Sequence, residues 1–220
     1  MTTLPADPTL DELRDALAPL LPRNAAFDGW NDAAVDATAR GVGVDPDIAR
    51  LAFAGGATAM IDAWFASIDR GMAEALPAEV LAGMKINERI RALVEARLDL
   101  LARDREALRR ALSILALPQN LGLATRLGWR AADRMWRLAG DTATDYNHYT
   151  KRTILSGVYA ATIVVFLDDE SEGQADTRAF LARRIAGIMR FEKAKARLTR
   201  NDDRYFSLSR FVGRLRYPAL

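Results

Sequence analysis

The sequence predicts an all-α protein: a three-helix lobe over residues 1–55, a larger helical domain over 56–197 and an amphipathic tail over 198–220. Three observations carry this. Apolar residues recur at spacings of three and four along most of the chain, which lays a stripe on one helix face. Helix start and stop signals fall between the stripes, among them Asp7-Pro8, Asn31, Gly41, Gly43, Asp45-Pro46, Pro77 and Gly140. The β-branched run TILSGVYAATIVVFL ends a segment too long for a strand and reads as a buried helix.

Composition sets the outer bounds. At 220 residues, half of them hydrophobic, the chain can bury a sizeable core. It has no cysteine, which removes disulfides, thiolate metal sites and thiol nucleophiles together. The opening MTTLPADPTLDELRD is acidic and reads as neither signal nor transit peptide, and no run of about 18 apolar residues is evident, so no spanning segment is expected.

Taken in order, Asp7-Pro8 opens a first helix with Leu10, Leu13, Leu17 and Leu20 or Leu21 as its buried stripe, and Pro22 ends it. Asn31 caps a helix through Ala39, Gly41 and Gly43 make a turn, and Asp45-Pro46 starts a short helix. This helix-turn-helix outline resembles the N-terminal lobe of TetR repressors. A DNA-reading helix needs cations for phosphates and polar groups for base edges. Here it offers Asp45, Asp47 and one Arg50, within residues 1–65 that hold four Arg against ten Asp or Glu. A net charge of −6 repels a phosphate backbone, so the motif reads as vestigial.

Ala57–Glu74 forms a connecting helix with Met60, Ile61, Trp64, Phe65 and Ile68 on a broad apolar face. Beyond Pro77 a long helix runs to Leu101, followed by Arg103–Leu115 and Leu121–Leu138. The Asp141–Leu167 helix is the most apolar. An acidic, flexible DDESEGQAD then leads to Thr177–Lys195, striped by Phe180, Leu181, Ile185, Ile188 and Met189. In the tail, Tyr205, Leu208, Phe211, Val212 and Leu215 fall within about 120° of one another, beside Phe206 and opposite Ser207, Arg210 and Arg214. Arg190–Arg216 carries nine basic residues against three acidic ones. Such a helix suits an anionic bilayer surface; docking on its own protein fits the same pattern.

The organising stretch is Ala111–Arg152. Leu123, Leu127, Ala131, Met135 and Leu138 keep one stripe, Gly140 stops the helix, and Asp141 caps the next. Around that joint stand Trp136, Tyr146, His148 and Tyr149 with Asp133, Asp145, Lys151 and Arg152. Aromatics mixed with both signs of charge are what partner-binding patches are made of, and equally what plugs a corner between two helices.

The string ALSIL-x-LP-x-N, then D-x-MW-x-x-AGD-x-x-TD-x-N-x-YT-x-R, resembles the signature of the ubiquinone (coenzyme Q) biosynthesis accessory lipid-binding family, whose fold is TetR-like. The similarity is dense over Ala111–Leu167 and thinner but collinear from Gly29 to Arg197. The resemblance implies a lipid-binding and dimerisation domain at 56–197, a homodimer built on the two long apolar helices, and a membrane-binding helix at Tyr205–Leu215. It implies a bound isoprenoid lipid or quinone intermediate and no catalytic cofactor. It also implies a hydroxylase-docking patch of the demethoxyubiquinone type at Asp133, Met135, Trp136, Asp145, Tyr149 and Arg152. His148 joins that patch where the family pattern has tryptophan. A bacterial member would work at the cytoplasmic face of the inner membrane, and eukaryotic relatives at the mitochondrial inner membrane. Helical periodicity alone does not separate a lipid pocket from a filled core.

Enzyme signatures are missing from the sequence. A single histidine, His148, leaves zinc and haem without their usual ligands, and Asp141, Asp145 and His148 on one helix end read as solvated charge. There is no Gly-rich phosphate loop, Glu-x-x-His pair or Gly-x-Ser-x-Gly elbow. The expectation is a non-catalytic lipid-binding protein that does not bind nucleic acid. The rivals are a ligand-responsive DNA-binding regulator, acting through Arg40 and Arg50, and a lipid-free scaffold.

Overall fold

The computed structural model describes residues 7–142 and 146–202, with residues 146–147 and 189–202 as backbone only. Among these residues every regular element is helical. The tail candidates Tyr205, Phe206, Leu208, Phe211, Val212 and Leu215, and the patch candidate Asp145, lie outside the described residues. The chain divides into two compact units at Leu181–Ala182.

The N-terminal lobe holds four helices, not the three expected, because residues 21–28 form a helix of their own: α1 (Leu10–Leu17), α2 (Leu21–Asp28), α3 (Asp32–Gly41) and α4 (Pro46–Ala52). The cap of α1 is Thr9, not Asp7: its backbone and hydroxyl groups exchange hydrogen bonds with Glu12, a reciprocal box that satisfies two orphan donors. Pro22 does not end α1; it sits buried in the first turn of α2, where its missing N–H costs nothing. Leu10, expected in the core, is exposed. The caps read for α3 and α4 are as expected, with Asn31 accepting from the Ala33 and Ala34 N–H groups and Asp45 from Asp47. Asn24 on α2 donates to the Thr38 hydroxyl on α3 at 2.8 Å. The Trp30 indole N–H donates to the Ala107 carbonyl at 3.0 Å, pinning the lobe to the following bundle.

That bundle opens with α5 (Gly56–Ala75), which buries Met60, Ile61, Trp64 and Ile68. The single long helix expected after Pro77 is in fact two, α6 (Ala78–Ala82) and α7 (Ile86–Leu101). The break is local: α6 ends at Gly83, and Glu88 accepts the Lys85 N–H at 2.8 Å, starting a new helix there. After a 3₁₀ turn, Ala102–Asp104, come α8 (Arg105–Leu115), α9 (Leu121–Leu138), α10 (Tyr146–Asp168) and α11 (Ala175–Asp202). A polar network runs through the bundle core. Arg97 of α7, almost fully buried, pairs with Asp69 of α5 and donates to the Tyr159 hydroxyl of α10 at 3.0 Å. Arg130 of α9 pairs with Asp62 and lies 3.3 Å from Asp69. Burial alone would lower the Arg97 pKa; Tyr159 and Asp69 outweigh it and raise it. Arg97 is the buried charge among these, and leaving it without Asp69 is costly, so its pairing helps fix how α5, α7 and α10 register, with Arg130 and Asp62 tying in α9 nearer the surface.

The acidic segment after α10 is not a loose linker. Asp169 is buried and accepts from the Ser171 N–H at 2.8 Å, the Ser171 hydroxyl at 2.5 Å, and the Thr177 N–H and hydroxyl at 2.8 and 2.5 Å. Burial pushes its pKa up, but these four donors pull it far below the ordinary carboxylate range. One carboxylate thus stops α10 and starts α11.

Against the expectation of no spanning segment, residues His148–Asp168 of α10 have the length and mean hydropathy, 1.3, to cross a membrane, with a third of the window buried. The same helix carries the buried cation Arg152 and rests along α9, where the Ser156 hydroxyl donates to the Gly128 carbonyl at 3.1 Å. Helices of a soluble bundle core pass the same length test.

Candidate functional site

The corner between α9 and α10 is built on the end of α9. Leu127, Ala131 and Met135 anchor that helix with their side chains in the core, Leu123 and Leu138 flanking them half-buried. Gly140 then turns the chain at φ +91°, a left-handed value that penalises any side chain. A Cβ there would also meet Arg89 Nη1 at 3.3 Å. Arg89, on α7, uses that nitrogen to donate to the Ala139 carbonyl at 2.9 Å and its Nε to donate to Met84 at 2.9 Å, so it caps the end of α9 from outside.

Asp141 is expected to cap the next helix, whose N-terminal boundary borders residues outside the described ones; among the described residues it anchors two cations. Its carboxylate accepts from Lys151 Nζ at 2.7 Å and from Arg152 Nη1 at 3.0 Å. Burial would raise its pKa, and the hydrogen bonds and charges of Lys151 and Arg152 hold it below the ordinary value instead. Arg152, only 1% exposed, also donates through Nε to Asp133 Oδ1 at 2.6 Å and through Nη1 to the His148 carbonyl at 3.1 Å. Asp133 in turn accepts from Arg137 Nε at 2.7 Å. The guanidinium therefore bridges the last turns of α9 and the first turns of α10, its fork matching two carboxylates.

On this base stands an aromatic surface. The Trp136 indole N–H donates to the Lys151 carbonyl at 3.1 Å, while Lys151 Nζ lies 5.2 Å from the Trp136 ring centre. Tyr149 is 61% exposed. Its ring sits 5.1 Å from His148, edge-on, and 6.1 Å from Trp129. Trp129 also lies 6.4 Å from His148.

The structure brings Asp133, Trp136, His148, Tyr149 and Arg152 to one corner. Met135, on the opposite side of α9, is wholly buried, and Arg152 is nearly so. Neither offers a surface for docking, contrary to their place in the expected patch. Trp129 is the residue sequence reading missed. Its signal was available, since Trp129, Asp133 and Trp136 follow one another at spacings of four and three on one helix face. Among the described residues no group of three or more His, Asp or Glu is arranged to hold a metal.

Elsewhere, an open cleft of about 910 Å3 lies between α5 and α7. Trp64, Ile68 and Leu100 line it together with Arg23, Glu95 and Arg103. Its charged lining differs from the apolar enclosure a polyprenyl chain requires.

In the lobe, the two cations proposed to meet DNA are already engaged. Arg50 donates to Asp36 through Nη2 at 2.5 Å and Nε at 2.7 Å, and to Asp47 at 3.1 Å; Arg40 reaches Asp36 at 3.5 Å. The Arg50 hydrogen bonds hold Asp36 below the ordinary carboxylate range.

Comparison with known proteins converges on the same stretch. Residues 121–192, from the start of α9 into α11, match the COQ9 family model. The ubiquinone biosynthesis protein COQ9, mitochondrial, of Rattus norvegicus is 43% identical over 105 residues, which cover 48% of this chain and 34% of that protein. Its counterpart in Homo sapiens is 40% identical over 105 residues, covering 48% and 33%. The chain spans about a third of the length of these curated relatives. Among solved structures, a TetR transcriptional regulator from Nitrosomonas europaea superposes with a TM-score of 0.64 at 26% identity, covering 79% of this chain and 96% of that one. Both the resemblance read from the Ala111–Arg152 string and the TetR-like fold are thereby shown.

Proposed function

We propose that this chain is a non-catalytic accessory protein of ubiquinone biosynthesis. It binds an isoprenoid lipid or quinone intermediate, rests on a membrane through Tyr205–Leu215, and presents its cargo to a pathway hydroxylase at the α9–α10 corner. The relatives support a role in ubiquinone biosynthesis, and one observation carries the finer reading. The segment matching the COQ9 family model contains the corner's aromatic cluster, exposed Tyr149 with half-buried Trp129, Trp136 and His148, on the ionic base of Arg152. Rings held by buried charge lose little conformational freedom on docking, which favours affinity.

The physical logic is that a polyprenyl tail is too apolar to leave the bilayer unaided. A protein that shields the tail at the membrane surface lowers the cost of offering the ring to an enzyme. Thr153, Gly157, Ala160 and Val164 form an exposed, largely apolar face along α10 and support a homodimer there. Location at the cytoplasmic face of a bacterial inner membrane is part of the same proposal; the named relatives are mitochondrial. Consumption of Arg40 and Arg50 by Asp36 weighs against a DNA-reading role despite the TetR-like fold.

The test is the complex with a demethoxyubiquinone hydroxylase, measured by calorimetry. Wild type is expected to bind, and Tyr149→Ala to weaken binding by about 30-fold, equivalent to ~2 kcal/mol for a hot-spot residue, with unchanged helicity. Undiminished affinity in that variant would remove the corner from the proposal.

A further inference from the structure

The lobe carries a face that the carrier role does not use. Helix α4 is built inside out for a core-facing amphipathic helix: it buries Ala49 and Ala52, and turns Ile48 and Leu51, 46% and 61% exposed, toward solvent. These two stand three residues apart, on one side of the helix, and Val42 in the preceding turn is 44% exposed. Scattered surface aliphatics are ordinary; two larger ones displacing alanine from the outward face of a seven-residue helix are not.

The charge around them is net negative: Asp32, Asp36, Asp45 and Asp47 stand against Arg40 and Arg50 on α3, α4 and their caps. Asp47, whose side chain is 86% exposed, flanks Ile48, and the sole cation of α4, Arg50, is tied to Asp36 and Asp47. Arg40 is drawn toward the same Asp36. With residues 1–65 at four Arg against ten acids, what α4 presents is aliphatic anchors in a negative field. Nucleic acid and anionic lipid are both repelled by that field. A basic protein surface is attracted to it, gains on-rate from it, and buries the anchors on contact.

We propose that the α4 face is a protein-docking surface for a partner that presents a lysine- or arginine-rich surface with an apolar recess, Ile48 and Leu51 being the anchors. It is separate from the α9–α10 corner and stands whether or not the lipid-carrier reading does.

The full-length chain is titrated with a fluorescent 14-residue Lys/Leu amphipathic peptide, read by anisotropy, against its Glu/Leu counterpart. The Lys/Leu peptide is expected to bind, more weakly as salt rises, and the Glu/Leu peptide not to. Ile48→Ser with Leu51→Ser is expected to cut affinity at least tenfold while the thermal midpoint, followed by circular dichroism, is unchanged. Absence of binding, equal binding of the acidic peptide, or an affinity indifferent to the double variant would each overturn the proposal. So would a change in oligomeric state by sedimentation in the double variant, which would make the face a contact between copies. Duplex DNA binding that the double variant abolishes would overturn it as well.

Discussion

The α9–α10 corner and the α4 lobe solve opposite problems with the same residue types. At the corner, Arg152 is buried and pairs with Asp133 and Asp141, so charge holds two helices together and leaves aromatic rings outside. In the lobe, Asp36 collects Arg40 and Arg50 at the surface, so charge is cancelled where a DNA-binding protein would keep it free. Buried pairing is expensive to break because the partner left behind is stranded. Surface pairing contributes little to stability and acts mainly on the electrostatic character of the face. The lesson is that an arginine's role in this fold is decided by what its acid partner can do without it.

The largest effect that would break this contrast is Arg152→Ala, which removes the buried cation shared by Asp133 and Asp141 and leaves them to Arg137 and Lys151 at the surface. Its expected cost is about 3–5 kcal/mol of stability, read by urea unfolding. A loss under about 1 kcal/mol, typical of exposed pairs, would erase the distinction between the two regions. Next comes Gly140→Ala, which forces a side chain to φ +91° and toward Arg89. About 1–2 kcal/mol is expected, also by denaturant melting.

The pH dependence sharpens the same point. Asp141 has a folded pKa below its unfolded value of about 3.9, so its contribution is complete above that value and disappears as pH falls through the folded pKa. Stability should therefore drop below about pH 4, and Asp141→Asn, weaker at neutral pH, should approach wild type in acid. Parallel curves for the two proteins would exclude Asp141 as a contributor. The smallest effect is Asp36→Asn, which releases Arg40 and leaves Arg50 paired with Asp47 alone. Thermal midpoint should stay almost unchanged, while retention on a heparin column increases; unchanged retention would mean that Asp36 does not mask those arginines.

How far the sequence could be read follows from the range of each interaction. Asn31 and Asp45-Pro46 were legible as caps because their partners lie two or three residues away. Pro22 was misassigned because proline follows one helix and begins another with equal ease, and only packing shows which. The Gly83–Lys85 break hid within a continuous apolar rhythm. At the corner, the residue types and their neighbourhood were plain in the string Asp133–Arg152, but their assignments were not. Arg152 finds Asp133 and Asp141 across a turn, at separations of 19 and 11, where periodicity says nothing. Asp169 was lost in an acidic run whose composition suggests solvation, although four donors converge on it.

The carrier claim is tested most directly by native mass spectrometry of the purified full-length protein, followed by organic extraction and lipid identification. The expected result is a dimer that retains about one isoprenoid quinone or related prenyl lipid per subunit. A dimer that carries no lipid would contradict it and leave the chain a docking scaffold.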